Sequence, residues 1–342
     1  MWYEYVIDRG LLPRSVLRIL IRMAIKNYAS NILTLDKADI KKKQSDFLEE
    51  ISTSNIAIHT QKANEQHYEL PNDFFELILG KHMKYSGSIW NDKTANIESA
   101  DSLTLQKYIT RSKIHDNQNI LELGSGWGSL SLHIAENFRE SNITTVTNSL
   151  SQKLFIESKI SSRKIRNLRV VKEDVSQFKP MEKFDRILSI EMLEHTRNTK
   201  ALLDKINSWL NQDGLLFIQV FSHINFPQLF DDVNDSWMSK NFFSGGMMPY
   251  INFYDDIKGT LELSKSWQES GLHYKKTLDF WLKNLDFHQI PIEKILDNQI
   301  NNIKSHVLIN RFRIFLITCS ELFGYNDGND WVVMNHLMSK GK

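Results

Sequence analysis

Apolar and polar positions along this chain follow one rhythm up to about residue 115 and another beyond it. From about residue 11 to 60 the apolar positions recur at helical spacing. Along Arg14 to Asn27, the basic residues Arg14, Arg18, Arg22 and Lys26 fall every four positions and draw one polar stripe on an otherwise apolar helix. Such a stripe reads as the solvated face of a packed helix. The competing reading is a basic amphipathic helix in weak contact with a membrane surface.

From Asp116 the pattern changes to short apolar runs alternating with amphipathic ones. Ile120–Leu123, Ile143–Asn148, Leu168–Lys172, Phe184–Ile190 and Leu215–Phe221 read as strands. Helices are expected between them at Ser129–Phe138, Gln152–Ile165 and Thr199–Leu210, the last stopped by Asp213-Gly214. Strands that are apolar throughout, separated by helices of this length, mean a parallel sheet covered on both faces. The expected fold class is α/β, doubly wound and mostly parallel. Residues from about 223 to 255 break the rhythm: they are aromatic, glycine-containing and without period. A stretch of that kind after a strand's carboxyl end reads as a lid inserted over a site. The division expected is a helical cap over 1–115, a nucleotide-binding core over 116–222, the lid over 223–255, and closing strands and helices over 256–342.

Composition mostly excludes. Lys and Arg total 42 against 41 Asp and Glu, a formal net charge of +1, so the chain is not a basic nucleic-acid-coating protein. Its single cysteine, Cys319, rules out an internal disulfide and any multi-cysteine zinc site. It sits in an apolar run and reads as buried and inert. The first residues carry charge where a secretory leader would be apolar. No run approaches the roughly 20 apolar residues of a membrane span. A cytoplasmic protein is the expectation.

The chemistry begins at Glu122-Leu-Gly124-Ser-Gly126-Trp-Gly128, a strand-to-helix turn. Glycine there lets the backbone approach a ligand, and the helix start adds N–H donors. The spacing is G-x-G-x-G rather than the dinucleotide G-x-G-x-x-G, and no phosphate-loop lysine follows. The pattern resembles motif I of class I S-adenosylmethionine methyltransferases, whose loop takes the methionine end of that cofactor. Asp174-Val175, just past the third strand, matches the position whose acid accepts the adenine amino group; an Asp there also serves as a helix cap. Most such enzymes place an acid on the ribose after the second strand. Here Thr147-Asn148-Ser149 and Gln152 stand instead, a departure that is itself the mark of one subgroup.

That subgroup resemblance runs over about residues 10 to 340. His67-Tyr68-Glu69-Leu-Pro71, Met83-Lys-Tyr85-Ser86, Glu191 to His195, Phe242 to Pro249, Trp267, Gly271 to Trp281 and Glu321 to Trp331 read like the family that contains cyclopropane fatty acid synthases and coclaurine-type amine N-methyltransferases. The resemblance implies a seven-stranded methyltransferase sheet and S-adenosylmethionine as cofactor. Its expected contacts are Tyr85, Ser86, Glu122, Gly124, Gly126, Gly128, Asn148, Gln152, Asp174 and Val175. Glu69, Phe242, Met247, His273 and Tyr274 are expected at the substrate pocket. For the aromatic pair Phe242-Phe243 and for Met247, core packing is the competing reading, and for Glu69 a helix surface.

The choice within the family falls on Ser189-Ile-Glu191-Met-Leu-Glu194-His195-Thr196, after the fourth strand. Ligands of doubly wound sheets lie at the carboxyl ends of strands. If a helix begins here, Glu191 and Glu194 share a face, although glutamates in a first turn also suit the helix dipole. An amine must lose its proton before it attacks, and carboxylates and an imidazole can hold the cation and take that proton. Glu191, Glu194 and His195 therefore suit amine methylation as catalytic residues. In the synthases the first of these positions is usually glycine, and a cysteine follows Tyr-Ser/Thr; here Tyr85-Ser86 is followed by Gly87. The tail from Phe323 to Trp331, with Trp331 read as structural, is also closer to the amine enzymes. The expectation is an amine N-methyltransferase with a small-molecule substrate, no metal and no nucleic-acid partner. A lipid-modifying synthase and a non-catalytic cofactor binder are the alternatives. A homodimer is compatible with either enzyme.

Overall fold

In this computed structural model the described residues are 2–56, 70–230, 237, 241–257, 259–300 and 303–341. Five helices lead the chain: α1 (Trp2–Asp8), α2 (Arg14–Leu33), α3 (Lys37–Ser52), α4 (Asn72–Leu79) and α5 (Ile97–Ser112). The alternating region follows as β1 (Asn119–Leu123), α6 (Ser129–Asn137), β2 (Asn142–Thr147), α7 (Leu150–Arg163), β3 (Leu168–Lys172), β4 (Phe184–Ile190), α8 (Thr199–Trp209) and β5 (Leu210–His223). The remainder comprises β6 (Gln228–Phe230), β7 (Gly246–Met248), α9 (Phe253–Asp256), β8 (Leu261–Glu269), α10 (Gly271–Phe287), α11 (Gln289–Gln299), α12 (Ser305–Gly324) and β9 (Trp331–Lys340).

Seven strands form one sheet in the order β3-β2-β1-β4-β5-β9-β8. The first five run parallel, with Ile120 opposite Ile143 and Leu121 opposite Ile187. Strand β9 then enters antiparallel between β5 and β8. Apolar cores lie on both faces. One gathers Ile120, Leu188 and Phe217 with residues of α4, α6, α7, α10 and α12; the other gathers Leu121, Ile187 and Ile218 with residues of α3, α8 and α9. The period-two alternation of β1 thus sorts Ile120 and Leu121 to opposite sides. The doubly wound, seven-stranded, mostly parallel expectation holds.

Three local expectations change. Strand β5 begins at Leu210, and Asp213-Gly214 lies inside it as an irregularity in register against β4. Gly214 is needed there because a Cβ would stand 2.9 Å from the Phe184 carbonyl. The aperiodic stretch after β5 contains a small antiparallel pair, Leu229 opposite Met247. The basic stripe of α2 is partly engaged in ion pairs: Arg18 pairs with Glu321 and Asp279, Arg22 with Glu321, and Arg14 with Asp286, while Arg14, Arg22 and Lys26 stay largely exposed. Those acids sit on α10 and α12, so the three arginines tie α2 to these two helices. Val16, Ile19, Leu20 and Met23 of α2 are left exposed. No described helix is long and apolar enough to cross a membrane.

Candidate active site

The glycine turn between β1 and α6 opens a cavity at the carboxyl ends of the central strands. Its lining includes Tyr85, Ser86, Glu122, Gly124, Gly126, Asn148, Gln152, Asp174, Val175, Glu191 and His195. Gly124 has φ +84°, and a Cβ there would lie 2.6 Å from the Met192 side chain. A Cβ on Gly126 would meet no atom within 4 Å, so its backbone borders open space. Gly128 serves the helix instead. It caps α6 at φ +80° and packs on Ile156, and it does not line the cavity.

Around this turn the polar groups are fixed from behind. Glu122 is buried and accepts a hydrogen bond from Thr145 Oγ1 at 2.9 Å. Burial pushes its carboxyl up to about 7, against the lowering effect of Thr145 and Ser131. Thr147 Oγ1 donates to Gln152 Oε1 at 2.7 Å, which leaves Gln152 Nε2 buried without a partner among the described residues. Trp127 Nε1 is in the same state. Asp174 turns one oxygen to the Ser176 backbone N–H, in the manner of a cap, while lining the cavity.

At the end of β4 the chain makes an unusual turn. Glu191 has φ +49°, a left-handed conformation that a non-glycine residue adopts only when its surroundings hold it there. Only one turn of 3-10 helix, Leu193–His195, follows. The two carboxylates therefore do not share a helical face. Glu191 Oε1 accepts from Gly87 N (3.2 Å) and Gln219 Nε2 (2.9 Å), and Oε2 accepts from the Tyr274 hydroxyl (2.7 Å). Burial raises its pKa, against the pull of Lys84 and these donors. Glu194 is fully buried outside the cavity lining, with Oε1 on the Phe221 backbone N–H (2.9 Å) and Oε2 unpartnered among the described residues. Burial first, and the Glu191 charge second, raise its pKa well above the ordinary value. His195 lines the cavity and packs on the Phe243 ring at 4.9 Å. Burial pushes its imidazole down to about 4, so the ring is neutral at physiological pH.

The remaining pocket candidates scatter. Tyr274 reaches Glu191 and stacks on Phe323 at 4.4 Å. His273 Nδ1 accepts from the Trp90 backbone N–H, away from the cavity. Phe242 stacks on Phe315 at 4.5 Å, and Met247 is fully buried in β7; neither borders this cavity. Glu69 and His67 lie outside the described residues. His82 hydrogen-bonds Ser102. Cys319 is half-buried, its thiol pushed up to about 12 by burial.

Two supporting groups were not singled out from the sequence. Lys84 is buried, donating to Ser86 Oγ (2.8 Å), Ser86 O (3.1 Å) and Gly87 O (2.6 Å). Burial lowers its ammonium to about 8, opposed by Asp101 and Glu191. Gln219 is a polar residue within the apolar run of β5, which was its available signal.

The family model for mycolic acid cyclopropane synthetase matches residues 56–331. The chain belongs to that family. The (S)-coclaurine N-methyltransferase of Thalictrum flavum subsp. glaucum is 32% identical over 83% of this chain and 80% of its own length. A crystal structure of coclaurine N-methyltransferase bound to N-methylheliamine and SAH superposes with a TM-score of 0.94 at 29% identity, covering 98% of each chain. The cyclopropane synthase MmaA2 of Mycobacterium tuberculosis, at 22% identity, TM-score 0.71, and coverage of 84% of this chain and all of its own, shares the fold. The protein is an S-adenosylmethionine-dependent methyltransferase.

The cavity's own features fit that cofactor. Gly124 and Gly126 form a cradle that side chains would narrow, and the orphaned Gln152 Nε2 awaits an acceptor. Asp174 offers an acceptor on the cavity wall.

Proposed function

We propose that this enzyme N-methylates a small-molecule amine at the cavity bordered by Glu191 and His195. S-adenosylmethionine, when bound, supplies the electrophilic methyl group. Gly124, Gly126, Gln152, Asn148 and Asp174, with Tyr85, Ser86, Glu122 and Val175 around them, are the residues that would hold it.

Methyl transfer is an in-line displacement whose main demand is alignment. Glu191 carries the reading: a carboxylate on the cavity wall, fixed by three donors, can hold an ammonium and accept its proton. His195, neutral at physiological pH, is a second acceptor. Glu194 is assigned to the same cluster as a buried supporting group: burial and the Glu191 charge favour its protonated form, and Oε1 is fixed on the Phe221 backbone N–H. The similarity to enzymes named for coclaurine supports an amine over a lipid.

The test is a transfer assay with labelled S-adenosylmethionine against a panel of secondary amines and, separately, vesicles of unsaturated phospholipid. Label in the amine fraction supports the proposal. Label confined to lipid overturns it.

A further inference from the structure

Gly87 stands where three restraints on the site meet. Its N–H donates to Glu191 Oε1 at 3.2 Å, and its carbonyl accepts from buried Lys84 Nζ at 2.6 Å. A Cβ placed on it would stand 2.9 Å from Tyr274 Cγ, 3.0 Å from Cδ1 and 3.2 Å from Cδ2. Ring and backbone are thus in direct face contact. On the same ring, Phe323 stacks with centroids 4.4 Å apart and planes inclined by 26°. The Tyr274 hydroxyl ends 2.7 Å from Glu191 Oε2.

We propose that Gly87 is a positioning residue: by lacking a side chain it admits Tyr274 against its backbone, so that the phenol hydroxyl and the Gly87 N–H together fix the Glu191 carboxylate on the cavity wall. The inference rests on the amine-methylating role given to Glu191 above. The need for glycine is steric, since Gly87 is not among the glycines at positive φ, and alanine is allowed by its backbone. Neither side of the contact can yield freely. The Gly87 peptide is held at both ends, and the following N–H, of Ser88, donates to Thr277 Oγ1 at 3.1 Å. Thr277 lies one turn from Tyr274 on α10, so the strand of backbone and the helix carrying the ring are pinned to each other. Phe323, stacked on the same ring, restricts its movement further. An added methyl group therefore tilts Tyr274 and draws its hydroxyl off Glu191.

The test compares Gly87→Ala, Tyr274→Phe and the double variant, with SAH affinity as the control for an intact fold. Each single variant is expected to lose roughly tenfold or more in kcat/KM, the size of a charge-assisted hydrogen bond. The double variant is expected to lose no more than about twofold beyond Tyr274→Phe, because both act on one contact. Removing a donor from a carboxylate favours its protonated form, so the acid limb of the kcat/KM profile moves to higher pH in both single variants. A Gly87→Ala enzyme with wild-type kcat/KM and an unmoved acid limb overturns the proposal, as does multiplication of the two losses. If Gly87→Ala fails to fold, an unmoved limb in Tyr274→Phe overturns it alone. A carboxyl-carbon NMR titration of Glu191 in the SAH complex reads the same shift without turnover. That measurement still tests Gly87 should the wild type methylate no amine, an outcome that would sink the functional proposal instead.

Discussion

Replacing Glu191 by glutamine separates its charge from its shape. In the wild type Oε1 takes two donors, from Gly87 and Gln219, and Oε2 takes the Tyr274 hydroxyl. A glutamine carbonyl keeps the first two, and its NH2 faces a phenol oxygen that can accept. Packing and most hydrogen bonds survive; the charge and the proton acceptor are lost. General-base assistance alone is worth about a hundredfold or more, or about 3 kcal/mol at roughly 1.4 kcal/mol per factor of ten. Loss of the counter-charge to an incoming ammonium adds to this, at most about 4 kcal/mol for charges about 4 Å apart near a protein surface. Glu191→Gln is therefore expected to lower kcat/KM for an amine by at least about a hundredfold, with SAH affinity by calorimetry within about twofold of wild type. The pH profile carries the same information. Glu191 is protonated at acid pH and its folded pKa is raised, so wild-type activity rises with pH through that value, and the variant lacks this limb. Activity within threefold of wild type, with normal SAH binding, would refute the reasoning and reduce Glu191 to a structural acceptor.

His195→Ala and Glu194→Gln are each expected to cut turnover by more than about tenfold while SAH affinity stays nearly unchanged; wild-type rates in either would make the cluster structural. Gly124→Ala must fit a methyl group 2.6 Å from Met192 at φ +84°, so calorimetry should show SAH binding weakened by more than about tenfold, strain in this region costing about 1–3 kcal/mol. For Glu122, the folded pKa of about 7 lies above the unfolded value of 4.5. Its contribution is fully present below about pH 4.5 and is lost as pH rises through about 7. Glu122→Gln should therefore melt higher than wild type at pH 8, by up to about 3 kcal/mol of stability, and gain nothing at pH 4; an equal shift at both values would contradict the burial argument.

The parallel strands were legible because they are buried on both faces and stay apolar along their length, as Ile120–Leu123 and Phe184–Ile190 do. Edge strand β8 was not, since most of Leu261–Glu269 is polar and exposed. Strand β9 hides two buried polar residues, Asn335 and His336. Within the site, Glu191 and His195 were legible from their place at a strand's carboxyl end. Side-chain direction was not: a positive φ at Glu191 and a single 3-10 turn decide that Glu194 points inward, and residue spacing carries neither. Phe242 and Met247 show the same limit, because an apolar residue in an aperiodic stretch looks alike whether it walls a pocket or fills a core. Lys84 escaped notice because lysine reads as surface, and only tertiary structure supplies the carbonyls and Asp101 that make its burial tolerable.

The most direct test of the central claim locates the transferred methyl. The protein is incubated with trideuteromethyl-labelled S-adenosylmethionine and a panel of secondary amines, and the products are fragmented in a mass spectrometer. The account predicts a product heavier by one trideuteromethyl group, borne on the nitrogen, and no label in unsaturated phospholipid vesicles offered alongside. Label on lipid carbon, with every amine tested left unmodified, would contradict it.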